Sequence, residues 1–266
     1  MHVSHAPGRA LGSHTWPGAL LLAASVQQHH TAGPIIELGA GTALVSAAAY
    51  QARHGDIEGA ATQVLATDKA DALACTQHTA GMHPGMQVAE LAWGHRAWPA
   101  AVKEWLARAS DSSGGACVLA ADVVYDASLV GPLLVTLAEL LKDAGHGTTA
   151  YIAYTARGEE VQAAFLEGID RAGLEVRVWI PPVIVTQELL RQSARTSACS
   201  VQLSAPELGP GQQPTIMEHA MCDEGAECRR AALCSAVDGR DGAGHWPERW
   251  WAGTSWSCVL RIQSAS

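Results

Sequence analysis

Phenylalanine occurs once in this chain of 266 residues, and Asp, Glu, Lys and Arg together make up only 16% of it. With so little aromatic carbon outside nine tryptophans, the apolar interior must come largely from alanine and leucine. Each core residue then buries little area, and modest stability is expected. Basic residues are scarce as well: 17 Lys and Arg stand against 26 Asp and Glu, a formal net charge of −9. That leaves no basic field for a phosphate backbone and argues against a nucleic-acid partner. The richest early apolar run, Pro17 to Val26, falls far short of the ~20 residues a membrane span needs, so no membrane association is expected. The seven cysteines are odd in number and lack close pairs, as expected of reduced thiols in the cytoplasm or nucleus. Cys222, Cys228 and Cys234 recur at intervals wider than the close pairs of zinc sites, and are read as free thiols. The 12 histidines form no H-E-x-x-H pattern or triad, so no metal is expected. Acidic residues are absent from the first 36 positions, a faint mark of a targeting peptide. Arg9 is the only basic residue there, however, and cleavage would remove Trp16 and the helix behind it. A mature N-terminus and a cytoplasmic location are expected. The length suits one domain with insertions, large enough for a stable core.

What the chain does contain is concentrated in Ile35-Ile36-Glu37-Leu38-Gly39-Ala40-Gly41-Thr42-Ala43-Leu44. An apolar strand ends in a carboxylate, turns through two glycines and enters an alanine-rich helix. Glycines let backbone approach a ligand, and a helix N-terminus offers N–H groups to an anion. A dinucleotide fingerprint, G-x-G-x-x-G, needs a third small residue where Leu44 stands. The bulky side chain argues against NAD or FAD and for a ligand without a pyrophosphate, such as S-adenosyl-L-methionine. A glycine pair alone is weak evidence.

Three further strand tips join it. Gln63 to Asp68 reads as a second strand ending in an acid suited to ribose hydroxyls. Gln87 to Gly94 reads as a short strand ending in Trp93, an aromatic able to cover an adenine face. Cys117 to Asp126 is a fourth apolar strand carrying Asp122 and Tyr125 at its end.

Taken together, these segments resemble the seven-stranded methyltransferases of the lysine-methyltransferase group, methyltransferase family 16. The matching elements are Thr15-Trp16-Pro17-Gly18-Ala19-Leu20, Glu37 to Thr42, Thr67-Asp68, Leu91-Ala92-Trp93-Gly94, Ala121-Asp122-Val123-Val124-Tyr125 and Ile152 to Arg157. The D-x-x-Y element from Asp122 to Tyr125 separates this group from generic methyltransferases. The resemblance covers roughly residues 14 to 180 plus a last strand near 255 to 262. It departs from the pattern in three places. Ala43 stands where the family usually has glycine, which a methyl group fills without loss. Only fifteen residues precede Trp16, where the family has a longer N-terminal segment with extra strands. Residues 181 to 253 match nothing in it.

The resemblance implies a doubly wound, mostly parallel seven-stranded α/β sheet, a Rossmann-like methyltransferase fold, in a single domain with a C-terminal insertion. A tail at 1–13 precedes a core at 14–180, an irregular insertion at 181–253 (loosest at 204–244) and a closing segment at 254–266. It implies S-adenosyl-L-methionine-dependent N-methylation of a lysine on a protein of the chaperone or translation-factor kind. Gly39, Ala40 and Gly41 would bring backbone N–H groups to the methionine carboxylate, and Glu37 would accept from the amino group. Asp68 would take the ribose hydroxyls, Trp93 and Ala121 would line the adenine, and Trp16 would shield the methionine end. Asp122 would hold the incoming ammonium and Tyr125 would wall the lysine channel, which makes these two the catalytic candidates.

Plainer roles stand beside these. Glu37 would cap the following helix, Asp68 would cap the next, and Trp93 divides evenly between adenine wall and ordinary core. Asp122 would cap the loop into the next helix. A small-molecule N-methyltransferase and a truncated non-catalytic binding protein of the same fold are the competing functions. Oligomeric state is left open.

Between the strands, helices are expected at 17–30, 42–54, 69–80, 97–109, 127–143 and 158–172, with strands at Thr148 to Thr155, Leu174 to Ile180 and Ser257 to Ile262. The second and fifth helices would end at Gly55 and near Gly145. Leu129, Leu133, Leu134, Leu137, Leu140 and Leu141 give the fifth a buried stripe, with Pro132 in its first turn.

Overall fold

The computed structural model describes residues 11–28, 33–54, 64–94, 97–155, 158–179 and 257–264. Seven strands form one sheet: β1 (Ile35–Leu38), β2 (Val64–Asp68), β3 (Met86–Glu90), β4 (Cys117–Ala121), β5 (Thr149–Thr155), β6 (Leu174–Trp179) and β7 (Ser257–Ser264). Their order is β3-β2-β1-β4-β5-β7-β6. The first five run parallel, whereas β7 slots antiparallel between β5 and β6. Among the described residues the α-helices are six: α1 (Pro17–Gln28), α2 (Leu44–His54), α3 (Leu73–Gly81), α4 (Ala100–Ser110), α5 (Ala127–Asp143) and α6 (Glu159–Arg171).

Strand alternation divides the core between two faces. Ile36, Leu38, Leu65, Val118, Ala120, Ile152 and Leu260 pack with α4, α5 and α6, while Ile35, Val64, Ala66, Leu119, Ala153 and Val259 pack with α1 and α2. Both faces are covered, which is why β1, β2, β4 and β5 are buried along nearly their whole length, while the edge strand β3 is partly exposed. Among the described residues, no helix is long and apolar enough to cross a membrane. Cys75 and Cys117 are free and buried. Gly55, the cysteines at 222, 228 and 234, and the insertion at 181–253 lie outside the described residues.

Several boundaries differ from the expected ones, and each has a structural cause. The third strand stops at Glu90, and Trp93-Gly94 form a turn whose Gly94 is left-handed at φ +79°. β4 stops at Ala121 because Asp122 adopts φ +54°, which takes the chain out of the extended region. α2 starts at Leu44, two residues late, because Gly41 and Ala43 are left-handed at +51° and +56°. The predicted third helix opens as a short 3-10 turn at Ala70–Ala72, and α4 waits for Pro99. In α5 the side chain of Asp126 accepts from Ser128 N–H and starts the helix at Ala127, so Pro132 lies inside it rather than in the first turn. Leu129 is only partly buried, and Val130 takes its place beside the five other leucines of the stripe. α5 does end just before a left-handed Gly145, at φ +84°.

Candidate active site at the carboxyl edge

The sheet order reverses between β1 and β4, since β1 is followed on one side by β2 and on the other by β4. Doubly wound sheets bind ligands outside the carboxyl ends of their strands at this point. Most candidate residues lie on it or beside it: Glu37 on β1, the turn 39–43, Asp68 at the end of β2 and Ala121 to Tyr125 at the end of β4. Trp93, after the edge strand β3, reaches the turn at Gly39, and Trp16 comes just before α1.

Gly39 (φ +64°), Gly41 (φ +51°) and Ala43 (φ +56°) alternate with ordinary residues through the turn. A side chain at Gly39 would begin 2.9 Å from Val123 Cγ1 and 3.0 Å from Trp93 Cζ2, so the glycine admits the indole against the backbone. Trp93 is half-buried there, packed on the core at its edge and facing the turn. Ala43 corrects one expectation. A left-handed L-residue costs about 1–2 kcal/mol, and burial of one methyl returns only ~0.8, so the alanine does not replace glycine without loss.

The turn is also tied down from beneath. Ala40 N–H donates to Thr67 O (2.9 Å), Gly41 N–H donates to Asp68 Oδ2 (2.7 Å) and Ala43 N–H donates to Ala40 O (2.6 Å). Two of the three N–H groups expected to meet a ligand carboxylate are therefore used within the protein. The glycines contribute room for backbone approach more than donors. Thr76 and Thr79, three residues apart on α3, donate to Gly41 O and Thr42 O at 2.8 Å each, and Thr67 donates to Glu37 O (2.6 Å). Sequence reasoning passed over these threonines; two buried hydroxyls at i and i+3 of a helix were the available signal.

Glu37 is buried, and its Oε2 accepts from both N–H and Oγ–H of Ser46 in the first turn of α2. It thus caps the helix. Its other oxygen, Oε1, has no hydrogen-bond partner among the described residues, so the capping role leaves one acceptor for a ligand. Burial lifts this carboxyl from an ordinary 4.5 up to about 8; the Ser46 bonds oppose the shift and the charge of Asp68 adds to it. Because the folded value is raised, the folded protein holds this proton more tightly. The stability Glu37 contributes is complete below about pH 4.5 and is lost as pH rises to about 8. Chemical denaturation of the ligand-free protein is expected to show stability falling through this window by roughly 1 kcal/mol per pH unit. Glu37→Gln removes most of that slope. Equal slopes in the two proteins would mean that Glu37 is already ionised in the fold.

Asp68 accepts from Gly41 N–H through Oδ2 and from Lys69 N–H through Oδ1 (2.8 Å). Burial pushes its pKa up, against the pull of these bonds. Lys69 itself points away into an exposed pair with Asp71 at 3.2 Å.

On the β4 side, Asp122 is 8% exposed and Oδ2 accepts from Gly18 N–H at the start of α1 (2.6 Å). It caps α1, not the loop into α5; that task falls to Asp126. Tyr125 is 36% exposed, and partial burial raises its phenol pKa, with Lys69 opposing and nearby Asp68 and Asp126 reinforcing. Ala121 is partly buried against the α1–α2 face. Before α1, a 3-10 turn at Leu11–Ser13 brings Gly12 against the glycine turn, and a side chain at Gly41 would start 3.1 Å from Gly12 O. Thr15 and Thr42 hydroxyls lie 3.2 Å apart, and the partly buried Trp16 stands between Thr15 and α1 in sequence.

The reversal of strand order, the glycine turn and the acid at the next strand tip define a Rossmann-like methyltransferase fold. A lysine methyltransferase family model matches residues 1–172, and the chain belongs to that family. Comparison with curated proteins finds no match. Among solved structures the chain is similar to an O-methyltransferase family 2 protein from Planctomyces limnophilus in complex with apigenin, at 14% identity and a TM-score of 0.41, over 61% of this chain and 54% of that one. It is also similar to the CcbJ methyltransferase from Streptomyces caelestis, at 16% identity and a TM-score of 0.38, over 56% of this chain and 52% of the other. A ribosomal protein L11 methylase from Lactobacillus delbrueckii subsp. bulgaricus follows at 12% identity and 0.37, over 59% and 70%. The chain spans about half the length of the first two of these proteins.

Proposed function

We propose that the chain is an S-adenosyl-L-methionine-dependent N-methyltransferase acting on a lysine of a protein substrate. The observation that carries this reading is the glycine turn set at the switch point within the segment matched by the lysine methyltransferase family. The fit to the cofactor is supported by the turn itself, where a side chain at Gly39 has no room, and by Leu44, which is buried in the core where a pyrophosphate turn needs a small residue. Bound there, the cofactor supplies a methyl group on a positively charged sulfur.

The chain's own residues do the holding. Glu37 Oε1 would accept from the amino group, and Asp68 would accept the ribose hydroxyls with the lone pairs its two backbone bonds leave over. Trp93 and Ala121 would flank the adenine, and Trp16 would close the methionine end. Tyr125 and Asp122 mark the acceptor side. Methyl transfer to an amine is an in-line displacement, so most of the acceleration would come from alignment, with a neutral amine as nucleophile. A carboxylate-rich rim at Asp68, Asp71 and Asp126 would attract the basic side chain to be methylated.

Calorimetric titration is expected to give binding of S-adenosylhomocysteine and none of NAD. Labelled S-adenosylmethionine with a cell lysate is then expected to yield methyl-lysine by mass spectrometry. Tight NAD binding without a response to S-adenosylhomocysteine would sink the cofactor assignment. Label confined to small molecules would sink the protein substrate.

A further inference from the structure

We propose that Asp122 is a positioning residue that acts through α1, holding the segment from Gly12 to Gly18 across the switch point. This rests on the methyltransferase reading and assigns Asp122 a route of action other than direct attraction of the acceptor ammonium.

Four observations carry it. First, Asp122 is anchored in an uncommon conformation, φ +54°, by its own N–H donating to Ala153 O on β5 (3.0 Å). Asp is among the few residues that tolerate this region, so the backbone aims the side chain. Second, the buried carboxylate spends Oδ2 on Gly18 N–H at 2.6 Å, a bond spanning 104 positions. A carboxylate suits a helix N-terminus, whose first N–H groups lack intrahelical partners. Third, the approach leaves no room for a side chain: one at Gly18 would start 2.5 Å from Oδ2 and 2.9 Å from Cγ of Asp122, and 3.2 Å from Ala153 Cβ. Fourth, the other end of the same segment is fastened over the cofactor turn, with Gly12 O against Gly41 and the Thr15 hydroxyl 3.2 Å from that of Thr42. Between these two fixed ends sits Trp16.

The segment is therefore a strap from the glycine turn to the tip of β4, and Asp122 fastens its second end. Slackening that end loosens the segment that carries Trp16 and the 3-10 turn, and with them the wall of the site.

The test combines amide hydrogen exchange of the ligand-free protein with calorimetric titration by S-adenosylhomocysteine. Four variants are used: Asp122→Ala, Asp122→Asn, Gly18→Ala and the Gly18→Ala/Asp122→Ala double variant. Asp122→Ala is expected to raise exchange in residues 11–20 and to weaken S-adenosylhomocysteine at least tenfold. Asp122→Asn, whose amide oxygen still accepts from Gly18 N–H, recovers most of both losses. Gly18→Ala weakens binding in the parent chain but adds little in the Asp122→Ala background, where the colliding carboxylate is gone. An Asn variant as impaired as the Ala variant would overturn the strap and point to the charge instead. So would unchanged exchange in residues 11–20 of Asp122→Ala, or additive effects in the double variant. Absence of S-adenosylhomocysteine binding by the parent chain would overturn the methyltransferase reading and the positioning role with it, an outcome distinct from those three.

Discussion

Gly39→Val is expected to abolish measurable S-adenosylhomocysteine binding, a loss of at least about a hundredfold, and to lower the melting temperature as well. Gly39 adopts φ +64°, where an L-residue costs about 1–2 kcal/mol and a β-branched one is a true outlier. The new side chain also begins 2.9 Å from Val123 Cγ1 and 3.0 Å from Trp93 Cζ2. Relieving that overlap by moving the indole or the backbone costs a further ~1–3 kcal/mol. Each route damages the proposed site: displacing Trp93 would remove the proposed adenine wall, and reshaping the turn breaks the Gly41–Asp68 bond two residues on. A hundredfold loss corresponds to ~2.7 kcal/mol, inside the summed range. Gly145→Ala is the control for backbone strain alone. It is left-handed at φ +84°, has nothing within 4 Å of the added methyl, and lies beyond the end of α5. It is expected to lose about 1 kcal/mol of stability and to bind S-adenosylhomocysteine normally. A folded Gly39→Val protein that binds normally would show that the ligand does not approach this turn.

The same turn shows where sequence reasoning reached and where it stopped. Apolar runs at regular intervals with helices between them imply a sheet covered on both faces, because only such strands are apolar at every position. That is a local signal, and it held for β1, β2, β4 and β5, whereas β3 and β6 carry exposed polar residues such as Gln87 and Glu175. The place where β4 ends is not local. Ala120-Ala121-Asp122-Val123-Val124 has no glycine or proline to mark a break, and the left-handed Asp122 is stabilised by a helix more than a hundred positions earlier. Glu37 was legible as a charged residue before a glycine turn, but its division of labour was not. One oxygen caps α2 and the other has no partner among the described residues, which depends on how far α2 starts from β1. Likewise the N–H groups of Ala40 and Gly41 looked available in a glycine-rich loop. They are taken by Thr67 and Asp68 because β2 lies beside β1, a pairing that no single segment records.

Asp68→Ala is expected to weaken S-adenosylhomocysteine binding by roughly 1.5–3 kcal/mol, about ten- to a hundredfold, through loss of charge-assisted hydrogen bonds. The carboxylate already accepts from Gly41 N–H and Lys69 N–H, one on each oxygen. A carboxylate offers about four acceptor positions, so two are left for the ribose hydroxyls without breaking either backbone bond. On the proposed function the residue both shapes the turn and contacts the ligand. The stability change should be much smaller than the binding change. Burial penalises the charged form, raising the pKa of Asp68, so removing the carboxylate relieves a desolvation cost while forfeiting two hydrogen bonds to partly solvated N–H groups. Asp68→Asn discriminates between the two functions. Its amide oxygen can keep Gly41 N–H, but its NH2 group faces Lys69 N–H as a second donor and has no charge for the ribose. It is expected to retain most of the turn and lose most of the binding. Parallel titration and thermal melts of the three proteins check this. Normal affinity in a folded Asp68→Ala protein would reduce Asp68 to a support of the glycine turn, and the ribose contact would have to be sought on another strand tip.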